Sequence, residues 1–110
     1  MQIIWHDEKT KKQCEDIDFL TRTYDMKLAK KLAQRLIELE LSEDYVKVPV
    51  SSRKHSIKQG KKFLYFAVDL PTLGDKRGKY RLTFIPIGEY DMENQKTITS
   101  IKILGIENYH

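Results

Sequence analysis

Apolar residues first recur at three-to-four spacing and later gather into strand-like runs, and the change falls near the middle of the chain. Residues 2–5 (Gln-Ile-Ile-Trp) open the chain as a short strand, rich in β-branched and aromatic side chains. Asp7 can then cap a helix, because a carboxylate accepts from the free amides of a first turn. Cys14, Ile17, Leu20 and Tyr24 follow at helical spacing, so one helix to about residue 22 is expected, with those four on its buried face. Asp25 offers a second cap. Behind it Leu28, Ala29, Leu32, Ala33, Leu36, Ile37 and Leu39 form one stripe, with Lys27, Lys30, Lys31, Arg35 and Glu38 opposite. This predicts an amphipathic helix to about residue 41, whose stripe is core or a groove for a partner's helix.

Pro49 stops any helix within a connection over 42–52. The runs 63–70, 79–87 and 97–106 read as strands, separated by a Pro- and Gly-containing turn or loop at 71–78 and a polar connection at 88–95. Connections this short imply antiparallel pairing, since a parallel return needs a longer crossover. The expected fold is α+β: a short N-terminal strand and two α-helices packed on one face of an antiparallel sheet, in a single domain over 1–110.

Composition narrows the classes. A chain with 40% hydrophobic and 33% charged residues belongs to an ordinary folded protein. No apolar run approaches the roughly 20 residues that cross a bilayer. The first residues lack the basic start and apolar stretch of a signal peptide, so a cytoplasmic location is expected. A single cysteine, Cys14, leaves no internal disulfide and too few thiols for a cysteine-based zinc site. The net charge of +4 is unevenly spread. Residues 47–81 hold ten Lys and Arg against Asp69 and Asp75, a local net of +8. That is either the footprint of a polyanion partner or a solvated lysine-rich surface.

Three histidines bear on chemistry. His6, at a strand end beside Asp7, reads as a surface residue. His55 lies in the basic segment 53–62, three residues before Lys58, and His110 ends the chain. Imidazole exchanges protons near neutral pH. Two imidazoles at one phosphodiester can deprotonate a ribose 2′-hydroxyl and protonate the leaving 5′-oxygen, while lysines and Arg81 stabilise the phosphate charge. Tyr109, Tyr65 or Phe63 can stack a base. No metal-binding spacing, phosphate-cradling glycine loop or nucleophile turn accompanies them, so no metal and no cofactor are expected.

Four blocks in order carry a resemblance: Arg53-x-His55-x-Ile57-Lys58-x-Gly60, Phe66-Ala67-Val68-Asp69-Leu70, Tyr80-Arg81-Leu82-Thr83-Phe84-x-Pro86, and the run from Ile98 to Ile103 that continues to Tyr109-His110. In these the chain resembles the RelE/ParE toxin superfamily of bacterial type II toxin–antitoxin systems, in its HigB (host-inhibition, killer) branch. The resemblance implies a RelE-like microbial ribonuclease fold and a ribosome-dependent messenger-RNA endonuclease. Such an enzyme cuts in the A site of the small subunit without a metal and is silenced by a HigA-like antitoxin. It implies a catalytic set of His55, Lys58, Arg81, Tyr109 and His110. Arg53, Lys54, Lys61, Lys62, Lys76, Arg77 and Lys79 would then contact RNA or ribosome. Asn108 stands where the family carries an aspartate, and Gln59 is one residue more than the pattern has before Gly60. The competing reading is a ParE-like inhibitor of a protein such as DNA gyrase, or an inactive homologue that only binds its antitoxin. A stand-alone RNA-binding module lacks the paired stacking aromatics it would need.

Overall fold

The computed structural model describes residues 1–109, apart from the side chains of 76–78. His110, Lys76 and Arg77, three of the expected site residues, therefore lie wholly or by their side chains outside the described residues. The order is β1 (Gln2–Trp5), α1 (Glu8–Glu15), α2 (Ile17–Thr23), α3 (Met26–Leu41), β2 (Lys54–Gln59), β3 (Lys62–Thr72), β4 (Asp75–Pro86) and β5 (Ser100–Asn108). The strands form one sheet in the order β1-β5-β4-β3-β2. The fold is α+β as expected, with three differences: three helices instead of two, a first strand that runs parallel to β5, and a further strand, β2, in the basic segment 53–62, where the apolar pattern marks none.

The extra helix arises at Asp16. Its backbone is extended (φ −100°, ψ 99°), its N–H closes α1 onto Gln13, and its carboxylate accepts from Phe19 N at 3.0 Å to start α2. One residue thus ends one helix with its backbone and begins the next with its side chain. The chain turns there, so the apolar stripe does not run through. Cys14 and Leu20 are buried, Tyr24 is half-buried, and Ile17 is left 55% exposed.

Both predicted caps are present: Asp7 accepts from Thr10 N and Asp25 from Leu28 N. In α3 the buried set is Leu28, Ala29, Leu32, Arg35 and Leu39, whereas Ala33 and Ile37 face outward. The stripe is rotated relative to the apolar pattern because Arg35, expected on the solvent side, finds partners inside. Its Nε donates to the Asp69 carbonyl at 3.0 Å, and its Nη1 to Glu38 at 3.2 Å.

The core lies between the helices and one face of the sheet. Leu20, Leu28, Leu32 and Leu39 meet Phe66, Val68 and Leu70 of β3, Leu82 and Phe84 of β4, and Ile101 and Ile103 of β5. Tyr45, from the connection after α3, stacks on Phe66 at 3.9 Å. Because strand side chains alternate, Tyr65, Ala67 and Asp69 are sent to the face away from the helices, as are Arg81 and Thr83. The turn or loop expected over 71–78 is a tight turn. Thr72 pairs with Asp75, leaving Leu73 and Gly74 between, and Leu73 N donates to the Asp25 carboxylate at 2.8 Å.

Candidate active site

Asp69 sits in the middle of β3 between Val68 and Leu70, and it is 2% exposed. A carboxylate so buried requires compensating charge or hydrogen bonds. Three cationic or basic groups supply it. Arg53 Nε lies 2.9 Å from Oδ2, His55 Nε2 2.9 Å from Oδ1, and Arg81 Nε 3.3 Å from Oδ1. Strand register delivers two of them: Arg81 pairs directly with Asp69, and His55 pairs with Ala67, one step along the same face. Arg81 Nε is buried and, among the described residues, has no hydrogen-bond partner, so charge rather than alignment holds it against Asp69.

Arg53 arrives by a different route. It follows a 3₁₀ turn (Val50–Ser52) in the left-handed region, at φ 57°. That conformation costs an L-residue about 1–2 kcal/mol. The turn is anchored from behind: Ser52 Oγ donates to Glu38 Oε2 at 2.7 Å, and Glu38 Oε1 accepts from Arg35. Arg35 then donates to the backbone of Asp69 itself. The carboxylate is held from the core as well as from the site.

Tyr109 completes the face. Its N–H donates to Lys79 O, and its ring lies over the Arg81 guanidinium at 4.1 Å. Its hydroxyl meets that of Tyr65 at 3.0 Å. Burial first, then the Tyr65 contact, push the Tyr109 phenol up to about 12, against the opposing pull of Arg81. Ala67 and Thr83, both fully buried, belong to the same face, and Thr83 Oγ1 donates to Gly105 O at 3.1 Å.

His55, Arg81, Tyr109 and Arg53 are therefore brought together, and Lys58 is not. Alternation along β2 places Lys54, Ser56 and Lys58 on the face opposite His55, and Lys58 pairs with Phe63, whose ring packs on Phe66. Lys54 is occupied structurally. Its Nζ donates to Tyr45 O at 3.2 Å and sits 4.8 Å above the Tyr45 ring, and burial lowers its pKa despite Asp44. Lys61 and Lys62 are exposed at the β2–β3 turn, where Gly60 takes φ 62°. Lys79 Nζ lies 5.8 Å from the Tyr80 ring. Lys47 pairs with Glu43. The net charge of 47–81 is thus divided between two faces and several ion pairs.

No family model, curated protein or solved structure matches the chain. The site has to be read from its own geometry. One carboxylate facing two guanidiniums and an imidazole leaves positive charge in surplus, which suits an anion such as a phosphate. Among the described residues, no three of His, Cys, Asp and Glu gather as a metal site, and no helix is long and apolar enough to cross a membrane. Asp69 is the site residue that the sequence pattern did not single out. Its signal lies in Phe66-Ala67-Val68-Asp69-Leu70, since an acid in an apolar strand is rarely buried without a partner.

Proposed function

We propose that this protein is the toxin of a bacterial type II toxin–antitoxin system, an endoribonuclease that cleaves translated messenger RNA on the ribosome. One observation carries the reading: His55 and Arg81 converge on a single carboxylate, with Tyr109 stacked on Arg81. An imidazole, a guanidinium and an aromatic ring on one sheet face are what a phosphodiester flanked by bases requires.

In this mechanism the Arg81 guanidinium holds the scissile phosphate, and Arg53 adds positive field at its edge. His55 takes the proton of the ribose 2′-hydroxyl. The 2′-oxygen bonds to phosphorus as the bond to O5′ breaks, and O5′ leaves with a proton supplied by His110. The products are a 2′,3′-cyclic phosphate and a 5′-hydroxyl, so atoms and charge balance without a redox partner. Tyr109 positions the nucleotide by stacking. Lys61 and Lys62, exposed at one end of the sheet, contact ribosomal RNA, and a cognate HigA-like antitoxin silences the site in a cytoplasmic complex.

The test is cleavage of message on purified translating ribosomes, with the new ends chemically typed. Cyclic phosphate and 5′-hydroxyl ends that vanish with His55→Ala support the reading. Intact message in the presence of a folded protein contradicts it.

A further inference from the structure

We propose that Asp69 is the positioning residue of this site: it fixes His55 in the tautomer protonated on Nε2 and leaves Nδ1 as the nitrogen that exchanges a proton with substrate. This rests on the ribonuclease reading for its role in turnover, but the tautomer itself does not. The geometry is over-determined on the side of Asp69. Its carbonyl is held by Arg35, its Oδ2 by Arg53, and it is 2% exposed on an inner strand, so it cannot swing away. Both guanidiniums are donors in every state and can only present N–H to the carboxylate. His55 is the one partner with a choice. Facing a carboxylate oxygen at 2.9 Å, Nε2 donates, and the ring is pinned with Nδ1 turned away from Asp69. The His55 side chain remains 32% exposed, which leaves it reachable from solvent. The same division of labour, one ring nitrogen tied to a buried carboxylate and the other free to work, defines orienting carboxylates in general acid–base sites.

Asp69→Asn tests this, because an amide offers one oxygen where the carboxylate offered two, one to Arg53 and one to His55. Neither arginine can accept, so His55 is the partner that turns: Nε2 accepts from the amide and the proton moves to Nδ1. The expected result is a neutral ring protonated on Nδ1 in ¹⁵N-resolved imidazole spectra. Cleavage by ribosome-bound protein should fall by about 10²–10⁴-fold with ribosome affinity unchanged. Wild-type cleavage rates in Asp69→Asn overturn the proposal. So does a dead variant whose His55 still carries its proton on Nε2, since Asp69 would then act by charge alone. If the variant does not fold, the wild-type spectrum decides: neutral His55 protonated on Nε2 supports the assignment, and protonation on Nδ1 overturns it. His55→Gln, which keeps a donor toward Asp69 and lacks the free ring nitrogen, is expected to fold and not to cleave. A wild-type protein with the expected tautomer and no action on translated message sinks the ribonuclease reading while leaving the role of Asp69 in place.

Discussion

The Arg81 guanidinium is held between two unlike partners, the Asp69 carboxylate 3.3 Å from its Nε and the Tyr109 ring 4.1 Å from its central carbon. A planar, delocalised cation can meet both at once, the carboxylate by charge and the ring across its face. Lysine, a point charge on a flexible stem, cannot. Arg81→Lys is expected to lose about 10²–10³-fold in cleavage rate, on the scale of removing one fixed donor from a developing charge. A rate measurement on ribosomes beside a melting curve separates this from unfolding. Full activity of a folded Arg81→Lys protein would make the arginine structural.

Tyr65 and Tyr109 share one hydrogen bond between hydroxyls. Burial and that bond raise the Tyr109 phenol from 10.0 to about 12. A group whose pKa is raised on folding contributes stability that is complete below the unfolded value of 10.0 and lost as pH rises toward about 12. Tyr65→Phe should bring the Tyr109 titration back toward its ordinary value and shrink that alkaline loss. Ultraviolet titration and stability of wild type, Tyr65→Phe and Tyr109→Phe across this alkaline range make the comparison. A Tyr109 titration unmoved by Tyr65→Phe would assign the whole shift to burial.

Asp25 joins the start of α3 to the β3–β4 turn. Burial pushes its carboxyl up, but backbone N–H groups of Leu28, Leu73 and Lys27 outweigh that and hold it below 3.8. Its stabilisation is therefore present above the unfolded value and lost as pH falls through the folded one. Asp25→Ala should cost about 1–2 kcal/mol at neutral pH. It should also flatten the acid limb of a stability-versus-pH curve. An unchanged acid limb would show that the cap contributes nothing.

The lysines divide by face. Lys54 caps carbonyls and covers Tyr45, so Lys54→Met should lower thermal stability more than ribosome affinity. Lys61 and Lys62 are exposed, so neutralising both should weaken ribosome association. The slope of log affinity against log salt should also become shallower, by about 0.7–0.9 for each phosphate no longer neutralised. Binding titrations across a salt series check both, and equal effects from the two changes would remove the distinction.

The α+β layout, two of the helix caps and four of the five strands are readable from period and cap chemistry alone. The helix break is not, because Asp16 lies in a pattern whose apolar spacing continues through it, and only the cap geometry shows that its backbone N–H closes one helix while its carboxylate opens the next. Arg35 reads as a solvent-side residue because its type is usually exposed. Its burial depends on a carbonyl from a strand 34 residues away. His55, Arg81 and Tyr109 are legible as candidates, but their meeting point is not. Asp69 becomes central only through the register of three strands, and the same register sends Lys58 to the other face.

The most direct test of the central claim is to map messenger-RNA 5′ ends across the transcriptome shortly after inducing the protein, beside His55→Gln and Arg81→Lys. The account predicts new ends within translated frames for wild type, their loss for both variants, and growth arrest that follows the cuts. Growth arrest without such ends, or ends that persist in a folded His55→Gln protein, would contradict it.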